Sequence, residues 1–118
     1  MHPRACGCTF CRKHGAAYVS DPSGYLTLIA RERGALLQYR QGSDIARFLL
    51  CRHCGVLLGV AFDHDGRSYG AVNAGCLDGE PGLGDAFSAL PQELEANEKV
   101  ARWLQLWVPD VVLPNADD

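Results

Sequence analysis

Three cysteines occupy six positions near the start of the chain, in the stretch ACGCTFCRKHG. They are Cys6, Cys8 and Cys11, and a further pair, Cys51 and Cys54, lies in the stretch CRHCG. Thiols at this spacing can form disulfides, carry out redox chemistry or bind a metal ion. The choice among these three is the main functional question that the sequence poses.

The pair Cys51 and Cys54, followed by Gly55, has the pattern of a metal knuckle. In such a turn both sulfurs come to one side, and Gly55 can adopt the left-handed backbone conformation that the turn tends to need. Zinc prefers four thiolate or imidazole ligands in a tetrahedron. One knuckle supplies two of them, so the others have to come from elsewhere.

The first cluster has a spacing that a straight strand does not suit. In an extended strand Cys6 and Cys8 would lie about 7 Å apart, farther than two sulfurs on one metal ion. A loop that curls around the ion removes this difficulty, and Gly7 makes the curl easy. Three thiolates on one short loop, with Cys11 as the third, suit a metal whose fourth position is open, which is the mark of a catalytic zinc site.

The sequence favours a metal over disulfides, although six cysteines are an even number. The N-terminal stretch MHPRACGC lacks the basic, apolar and small-residue regions of a secretory signal. We therefore expect a cytoplasmic protein, whose thiols stay reduced. A thiol redox role is a weaker alternative, because it would require a Cys-x-x-Cys motif that does not bind a metal.

Composition and charge exclude two function classes. The chain of 118 residues has the length of one domain, which we place at 1–118. Its charges are interspersed and sum to -3, unlike the basic surface of a nucleic-acid-binding protein. No apolar run approaches the roughly 20 residues of a membrane span. We expect neither nucleic-acid nor membrane partners.

The pattern along the chain predicts a mainly β fold. The first fifteen residues are expected to form a loop or turn, and Asp65 with Gly66 predicts a hairpin turn. A helix with a mostly apolar face is predicted at 91–107, with Trp103 and Trp107 packed in the core. The five predicted strands are short, rich in β-forming residues and antiparallel. They span residues 24–30, 35–40, 46–51, 56–62 and 69–74.

Taken together, the motifs resemble a known family. The stretches CGCTFCRKHGA, LLCRHCGVLL and YGAVNAGCLDG are similar to those of the glutathione-dependent formaldehyde-activating enzyme family, to which centromere protein V is related. The similarity extends over residues 5–80 and leaves out the C-terminal helix. The matching residues are Cys6, Cys8, Cys11, Arg12, Cys51, Cys54, Gly55, Asn73, Gly75, Leu77 and Asp78.

The resemblance implies a fold and a chemistry. The fold would be a β-tent of small coiled antiparallel sheets, shared with methionine sulfoxide reductase B. Cys6, Cys8 and Cys11 would hold a catalytic zinc ion, and Cys51 and Cys54 would supply half of a structural zinc site. The implied activity is that of a carbon–sulfur lyase that joins formaldehyde to the thiol of glutathione.

Four polar side chains beside the cysteines are further candidates. Arg12 and Lys13 are placed to attract the carboxylates of glutathione, although a solvated basic turn is the plainer interpretation. His14 and His53 could each act as a fourth ligand or as a hydrogen-bond partner of a ligand. The alternative is that both are ordinary surface histidines. Cys76 is interpreted as a small buried residue.

One departure from the family concerns the second site. Family members open with a strand carrying a further Cys-x-Cys-Gly, which this sequence lacks and which completes the structural site. Three explanations are open: the two loops share one zinc ion, Cys76 contributes a ligand, or the true start of the protein lies upstream. A missing strand would also leave a sheet edge open, which favours a homodimer.

Two function classes therefore remain. The first is a zinc-dependent carbon–sulfur lyase acting on a glutathione–formaldehyde adduct or a related thiol adduct. The second is a non-catalytic zinc module that serves stability or partner binding, the interpretation that the missing strand favours. An open coordination position distinguishes the first class from the second.

Overall fold

The structure is a computed structural model of the chain, and it describes residues 2–40, 45–78, 84, 87–89 and 95–114. These residues form nine strands, two α-helices and one 3₁₀ turn. In chain order the elements are β1 (Arg4–Cys6), α1 (Thr9–His14), β2 (Ala17–Val19), β3 (Leu26–Thr27), β4 (Leu36–Arg40), β5 (Arg47–Cys51), β6 (Leu57–His64), β7 (Arg67–Asn73), the 3₁₀ turn (Ala74–Cys76), β8 (Phe87–Ala89), α2 (Ala96–Leu106) and β9 (Val111–Val112).

The strands are arranged in one large and one small sheet. The seven-stranded sheet has the order β4-β5-β6-β7-β2-β1-β8, and its neighbours pair antiparallel except for β1 and β8, which are parallel. β3 and β9 form a separate parallel pair. The predicted fold class, mainly β with antiparallel sheets and a C-terminal helix, is confirmed. The homodimer stays a prediction.

Four of the five predicted strands have ends within two residues of the observed ones, and these are β4, β5, β6 and β7. The strand predicted at 24–30 is shorter and covers only Leu26–Thr27. Its backbone pairs with β9, which is itself two residues long, so the ladder ends where its partner ends. The predicted helix is observed as α2, and its predicted first turn at 91–94 lies outside the described residues.

The prediction of a loop over the first fifteen residues is wrong, because β1, α1 and the turn before β2 lie there. The sulfur of Cys8 caps α1 by accepting the backbone N–H of Cys11 at 3.4 Å. The helix ends at Gly15, whose φ is 62°. A helix of six residues is too short to show an apolar period in the sequence, which is why the pattern missed it.

β6 and β7 form the centre of the sheet. They are joined by Asp65 and Gly66, whose φ angles are 51° and 76°. Two positive φ angles in a two-residue turn define the type I′ hairpin that an Asp-Gly pair predicts. The two strands also lie close together at Gly59, where a Cβ would overlap the carbonyl oxygen of Ala71.

The core lies where α2 packs against this sheet. Phe62 is 1% exposed, and its ring meets Trp103 and Trp107 edge-on, with centroids 5.3 Å apart in each pair. Trp107 is buried and Trp103 partly buried, so the predicted core role of both tryptophans is confirmed. The same cluster of buried residues contains Cys11. The first cysteine cluster is therefore continuous with the hydrophobic core.

We expect Phe62→Ala to lower the free energy of unfolding by about 3–5 kcal/mol, because it removes a fully packed ring and leaves a cavity. Ile29→Ala is the control, since Ile29 is 84% exposed and its truncation should change the value by less than about 0.5 kcal/mol. Urea denaturation followed by tryptophan fluorescence measures both. A loss of under about 1 kcal/mol for Phe62→Ala would contradict this description of the core.

Candidate metal centre

The structure brings Cys6, Cys8 and Cys11 together, with all three sulfurs within 4.8 Å of one another. Cys6 is the last residue of β1, Cys8 is the N-cap of α1, and Cys11 lies inside that helix. The chain therefore changes from strand to helix around a single point. This is the curl that the spacing of the cysteines predicts.

The three sulfurs fit a metal ion. Two sulfurs on a tetrahedral zinc ion with Zn–S bonds of about 2.3 Å lie about 3.8 Å apart, which is compatible with sulfurs that all lie within 4.8 Å of one another. Three soft thiolates are a donor set that suits zinc. Within the described ranges, no fourth His, Cys, Asp or Glu places a ligand atom within 4.8 Å of all three sulfurs.

The thiols of this group differ in their affinity for a proton. The hydrogen bond from the Cys11 thiol lowers the pKa of Cys6 to about 6, with help from the backbone N–H of Cys8 and a smaller contribution from the Lys99 ammonium. The same hydrogen bond, together with burial, raises the pKa of Cys11. The hydrogen bond between the two residues therefore makes Cys6 the more acidic thiol of the pair.

Tyr18 also belongs to this site. It lies on β2, and its hydroxyl oxygen is 3.0 Å from the sulfur of Cys11. Burial is the main cause that raises the pKa of Tyr18, so this phenol stays protonated. Tyr18 and Lys99 were not predicted from the sequence, because neither lies in a cysteine motif and only folding brings them to the cluster.

Cys51 and Cys54 form the predicted knuckle at the end of β5. The N–H of Gly55 donates to the carbonyl of Cys51 at 2.8 Å, and Gly55 has a φ of 75°, as expected for such a turn. Backbone N–H groups of Cys54 and His53 lower the pKa of Cys51. In the part of the chain that is described, neither sulfur joins the group formed by the first three cysteines. The structure thus does not place both loops at one ion.

Cys76 lies next to the knuckle. Its thiol donates to the carbonyl of Leu57 at 3.0 Å, and the amide of Asn73 donates to the same carbonyl at 2.9 Å. Burial raises the pKa of Cys76, with further contributions from Asp78 and Cys54. Cys76 is partly buried rather than fully buried as expected, because the 3₁₀ turn that carries it lies at the edge of the core.

The two candidate histidines have other neighbours. His53 Nε2 lies 3.0 Å from a carboxylate oxygen of Glu32, and both side chains are exposed. The ring of His14 packs against Phe10, with centroids 4.5 Å apart. Neither histidine belongs to the three-sulfur group, so the surface role is the one the geometry favours.

Arg12 and Lys13 lie in the last turn of α1, one and two residues after Cys11, and both are exposed. Cations at this end of a helix interact favourably with its dipole, which accounts for their presence without a ligand. Their position next to the cluster also leaves them accessible to a bound anion. The glutathione contact stays a prediction.

Comparisons with known proteins support the fold. No protein-family model matches the chain, and no curated protein matches it. The structure is similar to the crystal structure of a Rhodobacter sphaeroides protein, a Northeast Structural Genomics target, with a TM-score of 0.51 and 24% sequence identity over 72% of this chain and 80% of that chain. Among the described residues, no helix has both the length and the apolar character needed to cross a membrane.

The lowered pKa of Cys6 predicts how the metal-free, reduced protein reacts with iodoacetamide. Only the thiolate reacts, and a pKa lowered from 9.0 to about 6 keeps the thiolate present as the pH falls through neutrality. The alkylation rate of Cys6 should therefore be half-maximal near pH 6. Cys11→Ala removes the main hydrogen bond and should move the midpoint upward. Peptide mass spectrometry against pH measures both, and an unchanged midpoint in Cys11→Ala would contradict the assignment.

Proposed function

We propose that this protein binds zinc through Cys6, Cys8 and Cys11 and acts as a carbon–sulfur lyase on a glutathione–formaldehyde adduct or a related thiol adduct. The observation that carries the proposal is the grouping of three sulfurs within 4.8 Å on one strand-to-helix turn. Three protein ligands and one exchangeable position are typical of catalytic zinc, whereas structural zinc has four protein ligands. The similarity of the sequence motifs to the formaldehyde-activating family supports the same function.

The reaction forms one carbon–sulfur bond. The sulfur of the thiol attacks the aldehyde carbon, the thiol loses its proton, and the carbonyl oxygen gains one. A bound zinc ion would supply a lowered pKa for the substrate thiol and polarisation of the carbonyl. In the reverse direction the same bond breaks and the aldehyde is released.

The protein's own residues prepare this site in three ways. The hydrogen bond from Cys11 lowers the pKa of Cys6, so this thiol loses its proton more easily when a cation binds. Phe10 packs against Phe48 and Tyr39, with centroids 4.4 Å and 5.3 Å apart, and so fixes α1 on strands β4 and β5. Arg12 and Lys13 would then attract the carboxylates of glutathione from the exposed end of the helix.

One observation favours the alternative of a non-catalytic zinc module. Cys11 is 1% exposed and belongs to the hydrophobic core, so a metal ion bound there would also tie β1 and α1 to the rest of the domain. This is how structural zinc contributes to folding. The two functions differ in one property, because only the lyase needs a coordination position that a substrate thiol can take.

Zinc content tests which cysteines bind the ion. We expect Cys8→Ser to contain one zinc equivalent less than the wild type, because a hydroxyl replaces a thiolate ligand. Cys76→Ser in a Cys51→Ser/Cys54→Ser background is the matched control and should keep one zinc equivalent, since Cys76 lies outside the three-sulfur group. Elemental analysis of protein purified under reducing conditions measures both. An unchanged zinc content in Cys8→Ser would contradict the proposed ligand set.

Activity is tested by magnetisation-exchange NMR between free and glutathione-bound formaldehyde. The wild type should accelerate this exchange, and Arg12→Ala combined with Lys13→Ala should raise the KM for glutathione more than the KM for a thiol without carboxylates. Arg67→Ala in the exposed hairpin is the charge control. A zinc-loaded protein that gives no acceleration would exclude the lyase and leave the zinc module.

A further inference from the structure

We propose that Tyr18 is a positioning residue of the metal centre, whose hydroxyl donates a hydrogen bond to the Cys11 sulfur and reduces the electron density that this ligand gives to the metal. This inference rests on the proposed zinc binding by the first cysteine cluster. It adds a residue on β2 that lies outside every cysteine motif. It also assigns the three thiolates different strengths as ligands.

The contact is short and buried. The hydroxyl oxygen of Tyr18 lies 3.0 Å from the sulfur of Cys11, and the two residues are 6% and 1% exposed. A metal-bound thiolate has no proton and can only accept, so in the loaded site the phenol is the donor. Water has little access to a contact this deep, which makes the hydrogen bond stronger than it would be at the surface.

The backbone fixes the donor in place. β2 lies between β1 and β7, and Tyr18 is paired with Arg4 on one side and Asn73 on the other. The N–H of Ala16 donates to the carbonyl of Cys11 at 2.9 Å, which anchors the chain just before β2 to the helix. Cys11 is therefore held through its carbonyl by Ala16 and through its sulfur by Tyr18.

Each sulfur of the cluster has a hydrogen-bond donor; two of the three donors are backbone N–H groups and one is a side chain. The backbone N–H of Cys8 serves Cys6, and the backbone N–H of Cys11 serves Cys8 at 3.4 Å. For Cys11 the donor is the side chain of Tyr18. A side-chain donor can be removed by one substitution while the backbone stays intact, so the effect of this hydrogen bond can be measured separately.

Loss of this donor has two measurable consequences. Hydrogen-bond partners of metal ligands orient them, and their removal typically weakens metal binding by about 10–100-fold. A thiolate without its donor also has higher-energy lone pairs. The absorption band for charge transfer from sulfur to a bound metal should then move to lower energy.

The test uses cobalt(II) as the probe, because its thiolate complexes absorb in the near ultraviolet. Tyr18→Phe should weaken cobalt binding by about 10–100-fold in competition with a chelator and shift the charge-transfer band to lower energy. Tyr69→Phe is the matched control. Its ring stacks on Phe62 at 5.4 Å, in another part of the same core, and its loss should change neither quantity.

A second measurement leaves the side chains in place. In protein labelled throughout with 3-fluorotyrosine, whose phenol is a stronger hydrogen-bond donor, the charge-transfer band should move to higher energy. The labelled Tyr69→Phe variant should show the same shift, because Tyr18 is still labelled. An unchanged band in both folded Tyr18→Phe and the labelled protein would overturn the inference alone. A wild type that binds no cobalt through Cys6, Cys8 and Cys11 would overturn the proposed function and this inference together.

Discussion

The site depends on one constraint, which is that the backbone passes from β1 into α1 around three sulfurs. β1 is held on both sides by β2 and β8, so the position of Cys6 is set by the sheet. α1 is held by Phe10, which packs on Phe48 of β5. Because strand and helix are each fixed separately, Cys8 and Cys11 meet Cys6 within 4.8 Å. A preformed group of this kind lowers the cost of ordering the ligands when a metal binds.

The sequence predicted those parts of the fold that depend on local patterns. Strands β4 to β7 show alternation or β-forming residues over at least five positions, and Asp65 with Gly66 specifies the turn between β6 and β7. The strands of two or three residues and the six-residue helix α1 were missed or misplaced, because a periodic pattern needs more residues to be visible. The pairing of β3 with β9 could not be predicted from a local pattern either, because it joins Leu26 to Val111, which are far apart in the sequence.

For the site, the cysteine spacing was sufficient to propose a ligand set and the curl of the chain around it. It was not sufficient to rank the thiols, because their different proton affinities arise from contacts that folding creates. Cys6 is made acidic by its neighbour Cys11, and Cys11 is in turn buried against Tyr18. The sequence also left open whether the two cysteine loops meet, and the described structure keeps them as separate groups. Tertiary packing therefore determines how the proton affinities of the three thiols differ and whether the two cysteine loops meet.

The central claim is that the first cluster gives zinc three sulfurs and leaves one position for a thiol. X-ray absorption at the zinc edge tests it most directly, in a Cys51→Ser/Cys54→Ser variant so that the first cluster alone contributes. We predict three sulfurs at about 2.3 Å and one oxygen or nitrogen at about 2.0–2.1 Å, changing to four sulfurs when glutathione is added. Four sulfurs bound to zinc before any thiol is added would contradict the claim, and so would a zinc coordination shell that does not change when glutathione is added.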